Sequence, residues 1–228
     1  MQTFASYGPL DGQTVPSGQI RSTRTTWLAW GLCVVSIGMA VTALILIVAS
    51  RSTSAPPAWG FRGFPLIFGM FFSIVGATIA SLRPWNVVGW LMCGAGLQGA
   101  AQGRVFEYAF FAVVVSPGGL PGGELLSWVD SWLWVIGLSL AGTLLPLLFP
   151  NGRLLSPRWR PAVWYVLGSA ALGVMGRALA PGPFGNFPSL RNPIGVDAVA
   201  VFPLLPNLLL LPVLVAIVIS VTSFVIPL

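Results

Sequence analysis

Long uncharged apolar stretches alternate in this chain with short segments rich in glycine, proline and arginine. An α-helix needs about 20 apolar residues to cross a hydrocarbon core about 30 Å thick. The pattern predicts six such helices, over 27–50, 64–82, 86–115, 125–149, 157–179 and 203–228. The expected fold is therefore all-α, a polytopic integral membrane protein with its six transmembrane helices in one bundle. Residues 1–26 are polar, hold only Asp11, Arg21 and Arg24 as charges, and read as a flexible tail. The first apolar stretch exceeds the roughly 7 to 15 residues of a signal-peptide core, so it is expected to remain as an anchor.

The connections carry turn chemistry. Arg83 and Pro84 make a short return, SPGGLPGG (116–123) separates the third helix from the fourth, and Pro146 predicts a kink near the end of the fourth. In FPNGRLLSPRWRP (149–161), Pro150, Asn151 and Gly152 suit a tight turn, while Ser156 and Pro157 suit a helix cap followed by a first-turn proline. A loop over 181–202 leads to the sixth helix.

Composition agrees, with 56% hydrophobic and 7% charged residues. The formal charge of +6 rests on eleven arginines, which fits membrane orientation and anionic lipid and calls for no nucleic-acid partner. The absence of histidine removes histidine-ligated zinc, haem and chlorophyll and any histidine base. Cys33 and Cys93 lie inside apolar stretches without metal-ligand spacing and read as small packed residues. No cofactor or metal is expected. With no phosphate-binding loop, no GxSxG and no carboxylate pair at mid-helix, neither an enzyme nor a proton pump is expected. A carrier lacks the interrupted helix pair of inverted repeats.

The positive-inside tendency predicts cytoplasmic N- and C-termini. Arg21, Arg24, Arg83, Arg153, Arg158 and Arg160 then lie inside; Arg51, Arg62, Arg104, Arg177 and Arg191 lie outside. Trp27, Trp30, Trp85, Trp90, Trp159 and Trp164 would mark the inner interface, and Trp59, Trp128, Trp132 and Trp134 the outer one. Arg153, Arg158 and Arg160 form a basic hinge at a helix start, where the backbone dipole disfavours them. Cytoplasmic retention and anionic headgroups suffice to hold them there.

Charges within membrane helices are candidates for function. At 1.5 Å per residue, Arg104 lies about 27 Å along its helix from Asn86, Asp130 about 28 Å back from Phe149, and Arg177 about 23 Å from Ala162. Arg104, Glu107, Asp130 and Arg177 thus share the outer level. Either each snorkels to the headgroups, or they form a paired cluster in an outward pocket closed by the 181–202 loop, with Arg104 and Arg177 binding an anionic or hydrogen-bonding ligand. Gly96, Gly99 and Gly103 form a small-residue face for close helix packing, within the chain or in a homodimer. Gln98 and Gln102 are placed to hydrogen-bond between helices.

Three ordered segments, RPWNVVGWLM (83–92), LLPLLFPNGRLLSPRWRP (144–161) and RNPIGV (191–196), resemble the N-terminal multi-span sensor region of bacterial sensor histidine kinases of actinobacterial type. The resemblance covers about 64–228 and is most specific at the hinge. It implies a bacterial plasma-membrane protein of a two-component system, whose last helix would lead into a dimerisation helix with the phosphorylated histidine and then an ATP-binding domain. This chain has neither the histidine nor that domain, and nothing charged follows Asp197 in its last 31 residues. The expectation is a sensor half separated from its kinase, or a module whose kinase partner is encoded elsewhere. The function expected is a signal-input module without catalysis; the alternative is a structural or accessory subunit of a larger membrane complex.

Overall fold

The computed structural model describes residues 18–55, 61–154, 156–196 and 211–225. Most of the expected tail, Trp59, Leu155 of the hinge, Asp197 with the end of the 181–202 loop, and both ends of the sixth helix lie outside the described residues.

The described residues are helical, with one isolated antiparallel pairing between Pro183 and Arg191. The helices are α1 (Gly18–Ala49), α2 (Phe64–Leu82), α3 (Val87–Phe110, continued by a wide π turn, Phe111–Val115), α4 (Gly123–Ser139, then a π turn, Leu140–Leu144, and a last α turn, Leu145–Leu148), α5 (Arg160–Ala178, after a 3₁₀ turn, Pro157–Trp159) and α6 (Leu211–Val225). The expected tail needs correction, because α1 starts at Gly18 and residues 18–26 are its first turns. No proline interrupts 18–26, and a helix already nucleated downstream extends at little cost.

Three helical segments are long and apolar enough to cross a membrane: Arg24–Ala49, Phe64–Leu82 and Gly123–Leu148. By length and composition the chain is a membrane protein. Three of the six expected spans stand out by that measure. α3 has the length but carries Gln98, Gln102, Arg104 and Glu107 among five glycines. α5 begins on Arg160 and carries Arg177 in its last turn, and α6 is described over 15 residues, Leu211–Val225.

α1, α2 and α3 pack against one another, α4 packs on α3, α5 on α4, and α6 on α5 and the end of α4. The core between the first three helices is made of small residues. Ala29, Cys33, Ala77, Ala80 and Cys93 fill one end, and Ala40, Ala43 and Leu66 the other half. Large apolar side chains such as Val34, Ile45, Phe71, Leu82 and Leu172 point outward instead. This distribution suits helices that meet by close contact in lipid, where burying a leucine between helices gains little.

The α2–α3 contact shows how close that approach is. A Cβ on Gly69 would lie 2.5 Å from the Ala100 nitrogen, and one on Gly76 2.5 Å from the Cys93 nitrogen. Gly96, Gly99 and Gly103 answer from α3, against Ser73, Phe68 and Gly69, and Leu66 respectively. The small-residue face is thus occupied within the chain.

Pro146 follows the π turn of α4. Proline has no N–H for the helical ladder and its ring crowds the carbonyl four residues back. The preceding Leu145 N–H bonds the Leu140 carbonyl, five residues back, which widens the backbone there.

Candidate functional site

Two buried polar clusters lie at the end of the bundle where α1 and α3 finish and α2 and α4 begin. In the first, Arg62 sits two residues before α2 and forks onto Glu107 of α3. Its Nε donates to Oε1 at 3.1 Å and its Nη2 to Oε2 at 2.6 Å. The Glu107 side chain is 2% exposed and that of Arg62 20%, so the pair is largely shielded from solvent. Arg62 Nη2 also donates to Ser50 Oγ at 2.5 Å, and its guanidinium lies 4.9 Å from the Phe110 ring centroid. The end of α1, the α1–α2 connection and α3 are thereby joined through one charge-assisted node.

The second cluster surrounds Asp130, 2% exposed on α4. Gln102 Nε2 donates to Oδ1 at 2.5 Å, and Asn186 Nδ2 donates to Oδ2 at 2.8 Å. Both carboxylate oxygens are satisfied by neutral amides, and no cation pairs with Asp130 among the described residues. One turn back along α3, Gln98 Nε2 donates to the Leu133 carbonyl at 2.9 Å. Gln102 Oε1, Trp132 Nε1 and Arg177 Nε are buried without a hydrogen-bond partner among the described residues.

The segment after α5 closes this end. Asn192 Nδ2 donates to the Ala178 and Ala180 carbonyls at 2.7 and 2.8 Å, capping α5, while its Oδ1 accepts the Ile194 N–H at 3.1 Å. Trp128 Nε1 donates to the same Ala178 carbonyl at 2.9 Å. The turn between Pro183 and Arg191 inserts Phe184 and Phe187 among Ala109 and Phe110 of α3, with Phe187 1% exposed. Phe106, Val113, Leu126 and Trp128 pack against this aromatic cluster.

The four candidate residues therefore have separate surroundings. Glu107 pairs with Arg62, in place of the expected Arg104. Arg104 lies 5.1 Å from the ring centroid of Tyr108, and Arg177 5.6 Å from that of Trp134. Asp130 belongs to the amide network. No hydrogen bond or ion pair joins the four to one another among the described residues. The reason is helical phase: Gly96, Gly99, Gly103, Glu107 and Phe110 repeat every three or four residues and all are buried, whereas Arg104 is turned about 100° away. Of the tryptophans expected as an outer girdle, Trp128, Trp132 and Trp134 are half-buried, and Trp128 packs edge-on to Trp132 at 5.4 Å besides holding Ala178.

Arg62, Ser50, Asn186 and Asn192 were absent from the sequence-derived site. Arg62 counted only as a loop charge, although Glu107 on the glycine stripe signalled a partner contributed from α2's side. For Asn186 no sequence signal exists, because its contact depends on how the loop folds back.

At the opposite end, the hinge packs on the start of α3. Gly152 has φ 70°, and a Cβ there would meet Asn86 Oδ1 at 2.7 Å and the Val87 nitrogen at 2.8 Å. Asn86 caps α3 through the Val88 N–H at 3.0 Å and donates from Nδ2 to the Pro150 carbonyl at 3.3 Å. Ser156 Oγ accepts the Arg158 N–H at 3.3 Å and starts the turn into α5. Arg153, Arg158 and Arg160 are exposed and outside any ion pair among the described residues. Trp27, Trp85 and Trp164 are exposed at this same end.

No family model matches the chain, and no curated protein or solved structure matches it either. The motifs behind the resemblance have local structural work in this fold: Asn86 caps α3, Gly152 fits against it, and Asn192 caps α5.

Proposed function

We propose that the chain is a six-span module of the bacterial plasma membrane, with cytoplasmic termini, that receives a signal at the Asp130 end and transmits it as a displacement through α6. It performs no chemistry of its own, and a histidine kinase is the output it serves. The observation that carries this reading is the Asp130 network. A carboxylate inside a membrane helix is costly and ordinarily finds a cation. Here it is held by amides from two elements, α3 and the closing loop, so a hydrogen-bonding ligand that competes for Gln102 or Asn186 shifts the loop relative to α4. The orphaned Gln102 Oε1, Trp132 Nε1 and Arg177 Nε add unused capacity for such groups.

The test joins α6 in phase to the dimerisation helix of a histidine kinase and follows autophosphorylation in membranes. Asp130→Asn sets an NH₂ against one of the two amide donors that the carboxylate accepts from. It and Asn186→Ala are expected to shift basal output several-fold at unchanged protein level. Equal output from all three chimeras would rule the reading out.

The subunit reading is favoured by a different feature. Gly31 and Gly38 of α1 face outward with nothing within 4 Å of a built Cβ, leaving a small-residue face on the bundle surface. A chain that remains monomeric by light scattering in mild detergent and crosslinks to nothing in native membranes excludes that role.

A further inference from the structure

The acidic residues among those described, Glu107, Glu124 and Asp130, all lie at the loop end of the bundle. At the hinge end Arg24, Arg83, Arg153, Arg158 and Arg160 are exposed, and none has a carboxylate partner among the described residues. Beside the hinge, a groove of about 480 Å³ runs between the start of α5 and the last turns of α6, lined by Arg158, Trp159, Pro161, Ala162, Tyr165 and Ile219. Its one charge stands among aromatic and apolar side chains, an order that matches a lipid from headgroup to chain.

We propose that this groove is a binding site for a phospholipid with an anionic headgroup. Arg158 takes the phosphate, with Arg153 and Arg160 adding field at the same level. Trp159 and Tyr165 sit at the depth of the glycerol and ester groups, where amphipathic rings are favoured. An acyl chain runs over Ala162 and Ile219. The choice of a lipid over a soluble phosphate rests on the lining, because an inorganic anion gains nothing from Ile219, Pro161 or Ala162. The site also lies against α6, so its occupant bears on the helix that the functional proposal treats as the output, but its existence does not depend on that proposal.

The experiment uses the full chain in nanodiscs of phosphatidylcholine mixed with phosphatidylglycerol, followed by native mass spectrometry of the lipids retained on release. The wild-type chain is expected to retain phosphatidylglycerol in preference to phosphatidylcholine. Arg158→Gln removes one basic contact near the surface and is expected to lower that retention about fivefold. Ile219→Trp fills the chain-binding part with every charge intact and is expected to lower it as well. Arg51→Gln, an exposed arginine at the other end, is expected to leave it unchanged. Circular dichroism of each variant confirms folding, and Ile219→Trp decides the matter if Arg158→Gln does not fold. Equal losses from Arg51→Gln and Arg158→Gln, or full retention in Ile219→Trp, overturn the site in favour of diffuse charge attraction. Displacement of the lipid by inorganic phosphate alone overturns the assignment of a lipid.

Discussion

Glu107 shows what a single side chain contributes here and how its neighbours can mislead. Arg104 stands three residues away on the same helix, near enough for a helical ion pair, yet the buried carboxylate faces α2 and takes the Arg62 fork instead. Removing one member of a buried pair leaves the other desolvated and costs about 3–5 kcal/mol, whereas the half-buried Arg104 is in no ion pair among the described residues and its loss strands no carboxylate. Glu107→Leu is therefore expected to lower stability by about 3 kcal/mol or more, read from denaturant titration in detergent, with Arg104→Gln near neutral. A double-mutant cycle separates the partners. Arg62→Met and Glu107→Leu should be strongly non-additive, while Arg104→Gln and Glu107→Leu should add within about 0.5 kcal/mol; coupling to Arg104 instead would contradict the observed pairing.

The helices themselves were legible where one physical signal dominated. α2 matches its apolar stretch at both ends, and Asn86 and Pro157 mark the starts of α3 and α5 by capping chemistry that is local in sequence. The start of α1 was hidden because polar residues 18–26 continue a helix whose stability comes from the turns behind them. The contacts between helices were legible only as a face. The glycines of α3 announced a close neighbour, but that the neighbour is α2 follows from Gly69 and Gly76, whose partners no local pattern specifies. This interface predicts a sharp contrast between two glycines. Gly76→Ala places a Cβ 2.5 Å from the Cys93 nitrogen, a clash with backbone that side-chain rotation cannot relieve, and is expected to cost about 1–3 kcal/mol. Gly94→Ala meets nothing nearer than Leu140 Cδ1 at 4.0 Å and is expected to gain up to about 1 kcal/mol from helix propensity. Thermal unfolding of both variants in one detergent distinguishes them, and a stable Gly76→Ala would mean that α2 and α3 are not so close in the membrane.

At the scale of the whole molecule, hydropathy and connectivity give different counts of crossings, and the fold supplies the argument between them. If only the three strongly apolar segments crossed, α3 would stay on one side and the 83–87 turn would lie across the membrane from the hinge. Yet Asn86 hydrogen-bonds the Pro150 carbonyl, and Gly152 packs against it, so these two connections occupy one level. The other level is joined just as closely, through Arg62 with Glu107 and through Trp128 and Asn192 with Ala178. α3 and α5 run between the same two levels as α1, α2 and α4, which is what the proposed six-span arrangement requires of them. On that proposal the glutamines, glycines and arginines of α3 and α5 depress hydropathy because residues facing other helices need not be apolar. Single cysteines test it in a background with Cys33 and Cys93 replaced by alanine, both native thiols being buried among small residues. With a membrane-impermeant maleimide on intact cells, Arg51→Cys and Gly185→Cys are expected to label at once. Arg83→Cys and Arg153→Cys are expected to label only after lysis. Labelling of Arg83→Cys and Arg153→Cys from opposite sides would reject the six-span arrangement, since no rearrangement that keeps Asn86 on Pro150 could separate them.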